Sequence, residues 1–133
     1  TTQISKDIPK IVLEKKISVR FDTNVNKLPW SFKVKNNVVD IKIGKVGKVE
    51  FEVENYSDKL TYGVASFNVS PSSLGQYFNK LGCFCFEKQK LEAGEKAKYI
   101  LSFYLDPELM NDLSTKNLED VTLSYTFFSS DYY

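Results

Sequence analysis

The chain has 133 residues, of which 42% are hydrophobic and 26% charged, and its formal net charge is +1. This composition is typical of one folded domain, and the charge shows no excess that would indicate a nucleic acid or an anionic membrane surface as a partner. The sequence contains no histidine. That absence excludes catalytic pairs of serine or cysteine with histidine, and it excludes every histidine metal ligand.

Alternation of apolar and polar residues with a period of two dominates the chain. The alternating runs are Ile17–Val25, Leu28–Val34, Val39–Ile43, Val49–Val53, residues 60–69 (less regular), Tyr99–Leu105 and Val121–Phe127. Alternate side chains of a strand share a face, so each run has one buried and one solvent-facing side. With the segment at residues 83–91, the pattern predicts an all-β sandwich of seven or eight strands.

Two segments depart from this alternation. Apolar residues recur at helical spacing from Leu74 to Leu81, Ser70 suits an N-cap, and Pro71 suits the first helical position. The sequence therefore predicts one short helix over residues 71–81, directly before the cysteine-containing segment. Residues 106–119 are predicted to be a loop with room for one helical turn.

The run Gly82-Cys83-Phe84-Cys85-Phe86 is the most informative feature of the sequence. In an extended strand, Cys83 and Cys85 point to one face, while Phe84 and Phe86 point to the other and anchor the strand in the core. Two soft thiolates without a nitrogen ligand suit Cu(I) better than Zn²⁺, which takes four ligands. Two chains could supply four thiolates to a shared copper cluster.

Other roles for this cysteine pair remain open at the level of residue chemistry. Cysteine often acts as a small buried hydrophobe, and an isolated Cys-X-Cys is most often structural or incidental. Thiol–disulfide exchange is a further possibility, although the usual Cys-X-X-Cys motif at a helix start is missing. An internal disulfide would be strained in a regular strand, because same-face neighbours have Cα atoms about 6.6–6.8 Å apart.

Residues 77–87 resemble the signature of the copper-delivering cytochrome c oxidase assembly proteins of the CtaG type. The motif within them is Tyr-Phe-Asn-Lys-Leu-Gly-Cys-Phe-Cys-Phe-Glu. Further similarity lies at residues 19–30, 65–71, 103–108 and 123–128, so the resemblance covers roughly residues 17–129.

The resemblance implies a copper metallochaperone rather than an enzyme, built on an immunoglobulin-like β-sandwich. It implies that Cys83 and Cys85 bind Cu(I), that copper loading accompanies homodimer formation, and that copper is delivered to the copper B centre of oxidase subunit I. A copper donor protein is a further expected partner. Because both thiols must be reduced outside the cytoplasm, a thioredoxin-like reductant is expected as well.

The resemblance also implies an N-terminal membrane helix that lies upstream of this chain, with the domain on the periplasmic side of a bacterial inner membrane. The alternative location is the mitochondrial inner membrane, facing the intermembrane space. Residues 1–16 are expected to be a loosely ordered segment, and residues 17–133 a single copper-binding domain. The family's third cysteine, near the membrane helix, has no counterpart in this chain.

Two further residues could assist the site. Lys80 could lower the pKa of a nearby thiol, although an ordinary solvated lysine is the favoured interpretation. Met110 could be an auxiliary soft ligand, although packing within its loop is favoured. The rival functions are a thiol–disulfide exchange protein and a metal-free binding module for oxidase assembly. Scattered acidic residues near turns give little support to a hydrolase.

Overall fold

The computed structural model describes residues 11–82 and 88–130, and within these ranges the chain is almost entirely β-structure. The strands are β1 (Lys16–Asn26), β2 (Trp30–Val34), β3 (Val38–Lys42), β4 (Gly47–Asn55), β5 (Thr61–Ser70), β6 (Phe78–Gly82), β7 (Lys88–Leu91), β8 (Lys96–Leu105) and β9 (Asp120–Ser129). Two 3₁₀ helices complete the described elements, η1 (Ser72–Tyr77) and η2 (Pro107–Asn111). Neither described helix has the length and apolar character that crossing a bilayer requires.

The strands form two sheets that pack as a sandwich. The five-stranded sheet has the order β3-β1-β9-β5-β7, and the four-stranded sheet has the order β2-β4-β8-β6. Strands β1 and β9 pair in parallel, and the other described pairs are antiparallel. The predicted immunoglobulin-like β-sandwich is thus confirmed, and the described residues form nine strands where seven or eight were expected.

The core lies between the sheets and is rich in aromatic rings. The Phe32 and Phe127 rings meet edge to face with centroids 4.8 Å apart, and Phe51 meets Tyr125 in the same way at 5.3 Å. Each of these residues faces inward from an alternating strand and is buried. A buried aromatic side chain contributes about 2–3 kcal/mol relative to an exposed one, so the alternation selects which face of each strand turns inward.

The prediction of a helix over residues 71–81 is wrong for most of that range. A 3₁₀ helix spans only Ser72–Tyr77, Pro71 precedes it without a side-chain cap, and Phe78–Gly82 form strand β6. Pairing with β8 decides the conformation, because it satisfies the backbone of β6 and turns the Phe78 side chain into the core. The helical turn allowed within residues 106–119 is confirmed as η2, with Asp106 as its N-cap.

Residues 11–15 lie along the end of β3. The Leu13 N–H donates to the Ile43 carbonyl at 2.9 Å, and the Ile43 N–H donates to the Lys15 carbonyl at 3.0 Å. The chain passes so close to Gly44, whose φ is +92°, that a Cβ there would collide with the Ile11 carbonyl oxygen. Within the segment predicted to be loosely ordered, these residues are therefore hydrogen-bonded to the domain, while residues 1–10 lie outside the described ranges.

Candidate functional site

The cysteine motif lies in sequence between two strands that belong to different sheets. Strand β6 ends at Gly82 and is an edge strand of the four-stranded sheet, whereas β7 begins at Lys88 and is an edge strand of the five-stranded sheet. Residues 83–87 are thus the connection between two edge strands. Cys83 and Cys85 fall outside the described residues, so the face to which each side chain points stays a prediction, as does the core anchoring by the two phenylalanines.

The strand that leads to the motif is anchored in the core at its beginning. Phe78 pairs with Leu105, and its ring stacks on Phe103 with centroids 5.0 Å apart and an interplanar angle of 9°. The pairing register then shifts between Lys80 and Gly82. An irregularity of this kind bends a strand and redirects its side chains. Here it comes directly before the connection that carries the cysteines.

Lys80 is buried inside the sandwich, so the favoured expectation of a solvated lysine is wrong. The residue is 0% exposed, and its Nζ lies 3.4 Å from the centroid of the Phe67 ring on β5 of the opposite sheet. Burial lowers the pKa of Lys80 to about 8. The side chain therefore carries its positive charge into the core at neutral pH, three residues before Cys83. Its inward direction follows from sharing a strand face with Phe78.

The turn before β6 is hydrogen-bonded to the residues on both sides of η2. The Tyr77 hydroxyl donates to the Asp112 carboxylate at 2.8 Å, and the Asp106 N–H donates to the Tyr77 carbonyl at 2.8 Å. The hydrogen bond to Asp112 raises the pKa of Tyr77, while hydrogen bonds from Ser114 hold the pKa of Asp112 below its ordinary value. These contacts fix the residue at which β6 begins.

The strand that follows the motif is fixed as well. Tyr99 of β8 donates its hydroxyl hydrogen to Gln89 Oε1 at 3.0 Å, which ties β7 to the opposite sheet. Burial is the main cause that raises the pKa of Tyr99. Leu91, at the end of β7, is buried. Both strands that flank the motif are therefore held in place through contacts across the sandwich.

Asn55 organises the loops at the far end of β7, a role that the sequence did not reveal. Its buried amide nitrogen donates to the carbonyls of Lys59, Leu91 and Glu92 at 2.7, 3.1 and 3.1 Å. Its amide oxygen accepts from the N–H and hydroxyl of Ser57 at 3.0 and 2.7 Å. The only sequence signal is a run of turn-forming residues from Asn55 onward, which marks a turn but not a buried network.

The described residues outside the motif offer no competing metal site. In residues 11–82 and 88–130, no group of three or more histidine, cysteine, aspartate or glutamate side chains could hold a metal ion. Met110 is partly buried against the core, which supports the favoured interpretation of loop packing. Glu92 and Glu95 meet only in a turn, where the Glu92 N–H donates to the Glu95 carboxylate. The structure thus brings together none of the scattered acids as a catalytic pair.

Comparisons of this sequence with known proteins identify a family and individual relatives to which it is similar. The sequence model of the family described as "Cytochrome c oxidase assembly protein CtaG/Cox11" matches residues 1–129. The protein named "Cytochrome c oxidase assembly protein CtaG" from Brucella ovis is 44% identical over 132 residues, which cover 98% of this chain and 66% of that protein. The protein of the same name from Chelativorans sp. is 40% identical over 131 residues, or 98% and 65% of the two chains.

This chain therefore spans slightly less than two thirds of the length of the curated relatives that it matches. The similarity nevertheless runs through nearly every described element of the sandwich, including both strands that flank the cysteine motif. The chain belongs to the cytochrome c oxidase assembly protein CtaG/Cox11 family.

Proposed function

We propose that the protein is a copper metallochaperone of cytochrome c oxidase assembly, and not an enzyme. In this proposal Cys83 and Cys85 bind Cu(I) as thiolates and pass it to the copper B site of oxidase subunit I. The observation that carries the proposal is a Cys-X-Cys motif that lies in the sequence between two anchored edge strands of a chain of this family. The family's name supplies the link to oxidase assembly.

The chemistry of the motif suits a cargo that must be released. Thiolates are soft ligands that favour Cu(I), and each thiol loses a proton when it binds the metal. Two protein ligands leave the coordination shell open to an incoming ligand. Transfer then proceeds by exchange: a ligand of the recipient bonds to copper, one thiolate leaves and takes up a proton, and copper remains Cu(I) throughout.

The strands around the motif support a positioned site. Before it, Phe78 is stacked in the core, and after it, Gln89 is hydrogen-bonded to Tyr99 of the opposite sheet. The strand ends on both sides of the motif are thus held by the folded domain. Preorganised flanking structure lowers the entropy cost of binding, which supports a metal site at the motif.

Several partners belong to the proposal. Two copies of the chain could combine four thiolates in one copper cluster, which makes a copper-dependent homodimer the expected loaded form. A copper donor protein, a thioredoxin-like reductant and oxidase subunit I complete the set. An upstream membrane helix and a periplasmic position for the domain are likewise proposed, with the mitochondrial intermembrane space as the alternative.

The proposal is tested by anaerobic titration of the reduced chain with Cu(I) against a competing chelator, with thiol counting and light scattering on the same samples. We expect saturation near one copper per chain and a shift towards dimer. Cys83→Ser and Cys85→Ser should each abolish tight binding, whereas the control Met110→Leu should not alter it. Full-stoichiometry binding by Cys83→Ser, or catalytic turnover of a model disulfide without tight copper binding, would contradict the assignment.

A further inference from the structure

The outer face of the five-stranded sheet is divided into two regions of different chemistry. Charged side chains such as Arg20 and Asp22 of β1 lie on this face as well, but most of the outward side chains on β5, β9 and β1 are hydroxyls and amides that lie in register. These residues are Ser66, Asn68, Ser70, Ser124, Thr126 and Asn24. A solvent-facing sheet surface is expected to be polar in this way. The corner beside the motif differs from the rest of the face.

That corner carries apolar side chains flanked by lysines, and we call it the β5–β7 patch. It consists of Leu60, Tyr62, Val64, Lys88, Lys90 and Phe128. Strand pairing brings its members together, because Val64 lies opposite both Lys88 and Phe128, and Tyr62 lies opposite Lys90. The Lys88 Nζ is 5.5 Å from the centroid of the Tyr62 ring.

The patch is open to solvent despite its apolar content. Leu60 is 43% exposed and Tyr62 is 37% exposed, and both lysines are exposed. Val64 and Phe128 are half-buried. Contiguous apolar patches on a protein surface, when large and rimmed by polar residues, mark interaction surfaces.

The composition of the patch favours a lipid partner over a protein partner. Protein interfaces are enriched in tyrosine and phenylalanine but depleted in lysine. Tyrosine together with aliphatic and lysine side chains is instead the pattern found at the level of lipid headgroups, where long lysines reach the phosphates. None of the six patch residues is acidic. The formal net charge of +1 is that of the whole chain, and it does not reveal that two lysines lie together in this patch.

We infer that the β5–β7 patch binds the surface of an anionic bilayer. Tyr62 and Leu60 would insert at the headgroup level, while Lys88 and Lys90 would contact lipid phosphates. Because Lys88 is the first residue of β7, this contact brings the beginning of β7 to the membrane surface. The inference does not depend on copper binding, so the two proposals stand or fall separately.

The test is co-flotation of the 133-residue chain with vesicles of phosphatidylglycerol and phosphatidylcholine, compared with vesicles of phosphatidylcholine alone. We expect binding to the anionic vesicles that weakens at high salt. The Lys88→Gln and Lys90→Gln substitutions should each lower the partition coefficient about fivefold. Tyr62→Ser should lower it as well, and near-ultraviolet circular dichroism verifies that each variant is folded.

The matched controls lie on the outer face of the other sheet. There Lys98 is exposed and Ile100 is 56% exposed, so Lys98→Gln and Ile100→Ser make the same chemical changes away from the patch. They should leave vesicle binding unchanged. Equal binding to neutral and anionic vesicles, or equal losses in control and patch variants, would overturn the inference. Patch variants that bind vesicles normally but lose binding to purified oxidase subunits would overturn it in favour of a protein partner.

Discussion

The ammonium group of Lys80 lies 3.4 Å from the centroid of the Phe67 ring, with the lysine on one sheet and the ring on the other. This contact holds a positive charge inside the sandwich, three residues before Cys83. A cation over an aromatic face gains about 0.5–2 kcal/mol, which only partly offsets the cost of removing the charge from water. The net cost is visible in the pKa of Lys80, which burial lowers to about 8.

Stability should therefore rise with pH in the range where Lys80 loses its proton. Above its folded-state pKa of about 8, the folded protein releases this proton, while the unfolded chain retains it up to the ordinary value of 10.5. The unfolded state then binds more protons, so the free energy of unfolding increases, by about 2 kcal/mol between pH 7.5 and 9.5 for this group. Below about pH 7, where Lys80 is protonated in both states, the group should contribute almost no slope.

The measurement is urea unfolding of the reduced protein and of Lys80→Met across this pH range. The difference between the two proteins isolates Lys80, because both retain the same cysteines and tyrosines. The exposed lysine variant Lys98→Met should follow the wild type. Parallel curves for wild type and Lys80→Met would show that Lys80 does not titrate with a lowered pKa.

The contact between Lys80 and Phe67 should show a coupling that depends on charge. A double-mutant cycle with Lys80→Met and Phe67→Leu is expected to give about 1 kcal/mol at pH 7. At pH 9.5, where most Lys80 side chains are neutral, the coupling should fall towards zero. A coupling that is equal at both pH values would identify ordinary packing, since dispersion does not depend on the protonation state.

Asn55→Ala should be among the most destabilising single substitutions in the described residues. It leaves the buried Leu91 carbonyl without its side-chain donor and frees the loops at Lys59 and Glu92. The expected loss is about 3 kcal/mol in the free energy of unfolding, because each buried unsatisfied polar group costs about 1–3 kcal/mol. Chemical denaturation measures this loss directly.

The matched control for that substitution is Asn79→Ala. Asn79 is half-buried, and its amide makes one long hydrogen bond of 3.5 Å to the Tyr77 carbonyl. Its loss should cost less than about 0.5 kcal/mol. Similar costs at the two positions would mean that the Asn55 network contributes little.

Gly44→Ala should be much more harmful than Gly94→Ala. Both glycines have positive φ, at +92° and +72°, so each substitution carries a backbone cost of about 1 kcal/mol. At Gly44 the added Cβ also collides with the Ile11 carbonyl, whereas nothing lies within 4 Å at Gly94. We expect Gly44→Ala to cost at least 2 kcal/mol.

Amide hydrogen exchange provides the second measurement for Gly44→Ala. The collision should displace residues 11–15 from β3, so the Leu13 and Ile43 amides should lose protection. Gly94→Ala should leave both amides protected. Unchanged protection in Gly44→Ala would show that the segment over Gly44 is held by other contacts.

The sequence predicted the sandwich well where alternation was regular. In β9, and in β1 with the one exception of Thr23, apolar residues alternate with polar ones, so burial of one face follows directly from the order of residues. It failed at β6, because Lys80 occupies an inward position and interrupts the apolar alternation that starts at Phe78. Leu74 and Phe78 are four residues apart, which matches helical spacing only by coincidence. The pairing of β6 with β8 outweighs the helical propensity that this spacing suggested.

The candidate site was predicted in part. The two cysteines of the motif are separated by a single residue, so their preference for a soft metal ion could be predicted from the sequence without a structure. The burial of Lys80 against Phe67 and the network of Asn55 could not, since they join residues 13 to 37 positions apart across strands. Such contacts depend on which strands become neighbours, and a single sequence gives no direct signal for that.

The most direct test of the central claim is copper delivery to oxidase subunit I. A strain that lacks its own member of this family would receive this protein, and the copper B content of its purified oxidase would be measured. We expect the wild type to restore copper B and the Cys83→Ser/Cys85→Ser double variant not to restore it. Full restoration by the double variant would contradict the central claim, because delivery would then not use the thiolate pair.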